Sequence, residues 1–349
     1  MKGFYIKKKI DLNVEVLSLK LLKDERLAAG NNFNKLNIYD LKSYKPDIII
    51  SGIFANFITN INQLKNENLI VSSSWGDVKI IKITKNTFNV IQSIKLRGGI
   101  FEVGGGFGGI NLIHDKIIEL NNNDLAIAIY NNDLIQLWKK ENENYFKYDS
   151  LIEKEYISEI FEIKPNILLS DNDHHNHLVI WDVKNKQKIS ILKGIKVNGI
   201  FSDNKTCFIN EKSIAYCGKS NLYIIEINNL CVIKKIEILK EKLSSICLFS
   251  KNILFVGGIN GILYQYKIKG KNITLKDKKN LKFKNFKEIS SIVKLDENAF
   301  VFGCCSNKLF FMQKKIEGRR DFLQKKRKFK KINNRKFSLI NIINFSIKK

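Results

Sequence analysis

Short runs in which apolar and polar residues alternate, separated by turn residues, fill most of the chain, and no stretch before residue 317 keeps helical spacing for long. One unit recurs. A short apolar strand is followed by two to nine turn residues and then by a second strand, in which an aromatic or apolar residue precedes a polar one. The clearest copy is Ile167-Leu168-Leu169-Ser170-Asp171 followed by Leu178-Val179-Ile180-Trp181-Asp182. The others end on Ile38-Tyr39-Asp40, Ile80-Ile81-Lys82, Leu137-Trp138-Lys139, Ile224-Ile225-Glu226, Gln265-Tyr266-Lys267 and Phe311-Met312-Gln313.

The marked positions 39, 81, 138, 181, 225, 266 and 312 recur at intervals of 42, 57, 43, 44, 41 and 46 residues. A spacing of about 40 to 45 residues is that of a four-stranded propeller blade. The single long interval contains the glycine run Gly104-Gly105-Gly106-Phe107-Gly108-Gly109. Further alternating pieces upstream of the pairs, such as Val14–Leu19, Ser244–Leu248 and Ser290–Val293, supply an inner strand.

At these residues the chain resembles the WD-repeat family, with Trp181-Asp182 as an intact signature dipeptide and Tyr39-Asp40, Trp138-Lys139 and Ile225-Glu226 as degenerate versions. The resemblance covers roughly residues 10 to 316. It implies an all-β fold: a seven-bladed β-propeller of four-stranded blades over 1–316, with a short basic C-terminal extension over 317–349. An N-terminal strand at Phe4-Tyr5-Ile6-Lys7 is expected to complete the last blade and so remove the exposed sheet edges. No Gly-His pair opens any blade, so the family's hydrogen-bonded set of His, Asp, Ser and Trp is expected to be missing.

With 44% apolar and 11% aromatic residues among 349, the chain buries a core and is not disordered as a whole. The formal charge of +26 comes largely from lysine, 54 residues against six arginines, the skew of an A+T-rich coding sequence. It still favours anionic partners. Lys7, Lys8 and Lys9 stand where the apolar core of an export signal would lie, and no run of 18 apolar residues occurs. We therefore expect an intracellular protein, cytoplasmic or nuclear, without a transmembrane segment or peripheral contact with anionic membranes. The six cysteines lack Cys-x-x-Cys spacing and read as reduced core residues.

Candidate chemistry is sparse. The run Asp171-Asn172-Asp173-His174-His175-Asn176-His177 offers imidazoles and carboxylates, yet it reads better as a polar turn between two strands of the fourth blade. The glycine run lacks a following helix and a Gly-Lys-Ser/Thr ending, and Leu96-Arg97-Gly98-Gly99 has only one arginine of a phosphoinositide-type pair. No nucleophile elbow or convergent acid–base set appears. No catalysis, cofactor or bound metal is expected.

From Lys314 to Lys336 twelve basic residues face two acidic ones, and four of the six arginines lie there. Arg319, Arg320, Lys325, Lys326, Arg327, Lys328, Lys330 and Lys331 have the form of a nuclear-import signal or of an RNA-phosphate patch. The resemblance implies a non-catalytic scaffold for other proteins of a multi-subunit complex. Its candidate contacts are the loop residues Trp75, Asn131, Asn132, His174 and His175. An RNA-associated propeller, of the ribosome-assembly or RNA-processing kind, is the alternative.

Overall fold

A computed structural model describes residues 3–74, 76–96, 115–129, 134–153, 157–172, 175–197, 204–238, 241–270, 272–281 and 288–315. Among them there are 28 strands and no helix. After β1 (Phe4–Asp11), blade 1 holds β2 (Val16–Leu21), β3 (Leu27–Asn31), β4 (Leu36–Asp40) and β5 (Lys45–Ile50). Blade 2 holds β6 (Ile58–Gln63), β7 (Leu69–Ser73), β8 (Asp77–Ile83) and β9 (Phe88–Lys95). Blade 3 holds β10 (Lys116–Glu119), β11 (Leu125–Ile129), β12 (Leu134–Glu141) and β13 (Asn144–Ile152). Blade 4 holds β14 (Ile160–Lys164), β15 (Ile167–Asn172), β16 (His177–Asp182) and β17 (Gln187–Lys193). Blade 5 holds β18 (Thr206–Asn210), β19 (Ser213–Cys217), β20 (Asn221–Glu226) and β21 (Cys231–Glu237). Blade 6 holds β22 (Leu243–Ser250), β23 (Ile253–Gly258), β24 (Ile262–Lys269) and β25 (Asn272–Asn280). Blade 7 takes β26 (Ser291–Lys294), β27 (Ala299–Cys304) and β28 (Lys308–Lys314), and its fourth strand is β1.

Each blade is an antiparallel meander, and the seven together form a β-propeller ring. The N-terminal strand closes it as expected: β1 runs antiparallel to β28, from Phe4 opposite Lys314 to Asp11 opposite Lys308. All seven marked positions fall on third strands. Opposite each of them the outer strand carries a one-residue bulge, at Asp47, Ile91, Tyr148, Ile189, Ile233, Lys276 and Lys7. An extra residue at a fixed place sharpens the twist of each blade's outer edge in the same way.

The apolar residues alternating along the strands collect into seven core clusters, one at each seam between neighbouring blades. The seam between blades 6 and 7 is aromatic. There Phe4 sits edge-on to Phe249, Phe255 and Phe300 at ring-centroid distances of 5.2, 5.3 and 5.5 Å. Close approach across a seam explains Gly303, where a Cβ would come within 2.6 Å of Val16 Cγ1 in the next blade.

Polar stitches reinforce every seam near the inner strands. Ser290 Oγ donates to the Val16 carbonyl, Ile61 N to Ser18 Oγ, and Ser72 Oγ to the Asp115 carbonyl. Ile246 N donates to the Asn204 carbonyl, and Ser244 and Ser245 hydroxyls both donate to that of Ile289. Between blades 3 and 4 and between blades 4 and 5 the stitch is ionic: Lys116 with Glu159 at 3.6 Å and Lys205 with Asp171 at 3.6 Å.

Because the strands alternate in direction, the turns from first to second and third to fourth strand share one end of each blade. The remaining connections share the other end, where Asn32 N bonds the Glu15 carbonyl, Ser74 N that of Phe57 and Cys305 N that of Glu288. The ring therefore has two faces built from different loops.

Candidate partner-binding cleft

The first-to-second-strand turns of blades 1, 2, 3 and 7 are built on one local pattern. In Leu22-Lys23-Asp24-Glu25-Arg26, Leu64–Asn68, Leu120–Asp124 and Leu295–Ala299 the leucine N–H donates to the carbonyl of the last residue. An Asp or Asn at the third place folds the first three of these, its side-chain oxygen accepting the N–H two residues on. The residue after it turns left-handed, with φ of 64° at Glu25, 70° at Glu67 and 71° at Asn123.

Where such turns of blades 1 and 7 meet the third-to-fourth-strand turns of blades 1 and 2, a cleft of about 720 Å³ opens on that face. Its walls come from the Leu22–Arg26 turn and the Asp40–Tyr44 turn of blade 1, residues 83–85 of blade 2 and the Leu295–Ala299 turn of blade 7. Arg26 ties the wall together: Nε donates to Asp24 Oδ2 at 2.8 Å, and Nη1 and Nη2 reach the carbonyls of Lys85 and Thr84 across the seam. Tyr44 packs edge-on to Phe311 at 4.9 Å and carries the Lys7 ammonium 5.9 Å above its ring. The Asp40 carboxylate, at the Asp place of the degenerate dipeptide, accepts the N–H groups of Lys42 and Ser43 and fixes the turn.

The cleft is apolar and aromatic at its floor and mixed in charge at its rim. Asp24, Glu25, Asp40, Asp47 and Asp296 outnumber Lys7, Arg26, Lys42 and Lys85 in a chain of net charge +26. By contrast, a cavity of about 370 Å³ along the inner strands is lined by Lys20, Lys116 and Lys294 and by no carboxylate.

A second polar assembly lies inside blade 4. The Asp171 carboxylate accepts the Ser158 and Glu159 N–H groups at 2.7 and 2.8 Å, the Ser158 hydroxyl at 2.8 Å and the Tyr216 hydroxyl at 3.2 Å. The Lys205 ammonium donates to Ser158 Oγ at 2.6 Å. Asp171 and Lys205 are both 0% exposed, so the group holds blades 4 and 5 together and meets no solvent. Burial and the neighbouring Asp171 and Glu159 carboxylates push the Tyr216 hydroxyl far above its ordinary range.

This corrects two sequence expectations. Asp171 and Asn172 belong to β15 and His177 to β16, so the polar turn is shorter than it reads, because donors from two blades offset the burial of the Asp171 charge. The Trp–Ser half of the expected-missing set is present in this blade, with Trp181 Nε1 donating to Ser170 Oγ at 2.9 Å.

Of the loop candidates, His175 is described. It lies on the opposite face, in the turn between β15 and β16, with its N–H on Asn172 Oδ1 and its ring stacked on His177 at 5.7 Å. Burial holds His177 below its ordinary pKa, which leaves it neutral at neutral pH. Lys188 lies 5.2 Å over the Trp181 ring and donates to Glu153 beside them. Among the described residues no three His, Cys, Asp or Glu side chains converge as a metal site. Trp75, Asn131, Asn132 and His174 lie outside the described residues, as do the glycine run and the basic residues Arg319, Arg320, Lys325, Lys326, Arg327, Lys328, Lys330 and Lys331.

Compared with models of protein families and with curated proteins, the sequence matches none. All six cysteines are free thiols, and no helix among the described residues is long and apolar enough to cross a membrane. The cleft was missed by the reading of single repeats. Its local pattern, Leu followed two residues later by Asp at 22–24 and one residue later by Asp at 295–296, carries no sign in the sequence that the ring sets these two turns side by side.

Proposed function

We propose that the chain is a non-catalytic scaffold of the WD-repeat kind that holds partner proteins on its ring, with the cleft at blades 7, 1 and 2 as the principal contact. The observation that carries this reading is the cleft itself: about 720 Å³, apolar at the floor, mixed in charge at the rim, and set in a ring closed on both sides. Such a floor anchors an aromatic or aliphatic side chain, while rim charges select the register of the segment that bears it. Closure and the seam stitches fix the loops before a partner arrives, so little loop entropy is lost on docking. The WD-repeat assignment is supported by Trp181-Asp182, the Trp181–Ser170 bond and the N-terminal closing strand.

Trp75, Asn131, Asn132, His174 and His175, in the loops between second and third strands, are proposed as a second contact surface, which lets two partners bind at once. Affinity purification from native cells of the intact chain beside a Glu25→Lys, Asp47→Lys double variant tests the reading. Partners lost from the variant and retained after RNase treatment support the scaffold. Partners removed by RNase and indifferent to the variant shift the assignment to the RNA-associated alternative.

A further inference from the structure

Resting on the proposed cleft as a binding surface, we propose that its resident occupant is the chain's own basic segment, residues 319–336, docked in cis. The strand that leads into this segment is itself part of the cleft: Phe311, Met312 and Gln313 of β28 line it. Lys314 N donates to the carbonyl of Asn298, in the blade 7 turn that forms one rim, and Lys315 N to that of Gly3. The chain is therefore delivered to the cleft's edge. Ten further residues, at most about 3.3 Å each, give Lys325 a reach of up to about 33 Å from that edge.

Charge directs the docking. Residues 1–315 carry 48 Lys and Arg against 32 Asp and Glu, so most of the ring repels a segment of this sign. At the cleft the balance is locally acidic by one charge. Asp24, Glu25, Asp40, Asp47 and Asp296 face Lys7, Arg26, Lys42 and Lys85; Arg26 is engaged by Asp24 and two backbone carbonyls and Lys7 lies over the Tyr44 ring, so Glu25, Asp47 and Asp296 are the carboxylates offered to the segment. Phe322 and Phe329, spaced through the basic run, match the aromatic floor of Tyr44 and Phe311. Tethering holds the segment at an effective concentration on the order of millimolar, so weak contacts suffice and a partner must displace it. The scaffold is thereby self-masked: a basic, aromatic partner segment competes for the cleft, and a polyanion that captures 319–336 frees it.

The test uses the purified full chain with a photo-crosslinking phenylalanine analogue at Phe322 or Phe329, at dilution that separates intramolecular from intermolecular products. The expected result is intrachain crosslinks to peptides containing 22–26, 40–47 or 295–299. These should fall at least tenfold in Glu25→Lys, Asp47→Lys and in molar salt, with the thermal midpoint of the ring unchanged. Trypsin should cut at 325–328 more slowly in the wild-type chain than in the double variant. Crosslinks confined to other parts of the ring, crosslinks only between chains, or equal cleavage in both chains overturns the inference. If partner capture still depends on the cleft in that case, the docking-site reading stands and the tail assignment alone falls.

Discussion

At the residue scale, the buried pair Lys205–Asp171 is the most demanding arrangement in the ring. Taking both charges from water is costly, and the pair is tolerated because Asp171 also collects two N–H groups and two hydroxyls. Lys205→Met removes the cation and leaves the carboxylate buried. We expect a loss of about 3–5 kcal/mol in denaturant unfolding, whereas Lys205→Met with Asp171→Leu should recover part of it. Glu288 behaves differently. Burial raises its carboxyl to about 7, the Glu15 charge adds to the rise and Lys205 offsets part of it; Oε1 has no hydrogen-bond partner. A carboxyl whose pKa is higher folded than unfolded favours folding most at low pH and loses that contribution as pH rises from about 4.5 to about 7. Glu288→Gln should therefore gain stability over the wild type at pH 8 and show little difference at pH 4, measured by unfolding midpoints across that range. At this scale the sequence said little. Asp171 read as part of a polar turn because its donors, Ser158, Lys205 and Tyr216, are up to 45 residues away.

At the element scale, β1 decides whether the ring is a ring. It supplies the fourth strand of blade 7 and places Phe4 among Phe249, Phe255 and Phe300. Phe4→Ala should cost about 3–5 kcal/mol, and faster hydrogen exchange should appear first in β28, the strand it covers. The seven strand pairs were legible because alternation has period two and the blade has period near 43, so each copy reinforces the others, whereas the closing strand was expected only from the resemblance to WD-repeat propellers. The outer-strand bulges were not legible. Each is a one-residue slip between paired strands, and residues as different as Asp47, Ile189 and Lys276 occupy it. The turn at 22–26 was not singled out in the sequence, because its meaning depends on which turns the ring sets side by side.

At the scale of the whole molecule, seven apolar seams and their polar stitches make a platform with two unlike faces, one carrying the acid-rimmed cleft and the other the histidine turn of blade 4. Net positive charge on the ring and its extension favours anionic partners, and the cleft, where carboxylates outnumber cations, is the local exception on which the proposed docking of a basic segment rests. The central claim is that partners dock on that cleft-bearing face. Hydrogen exchange on the native complex, compared with the purified chain truncated after Ile316 so that no basic segment can fill the cleft, tests it most directly. The account predicts protection on complex formation at residues 22–26, 41–44, 83–85 and 295–299. Protection confined to the outer strands or to the loops of the opposite face would contradict it.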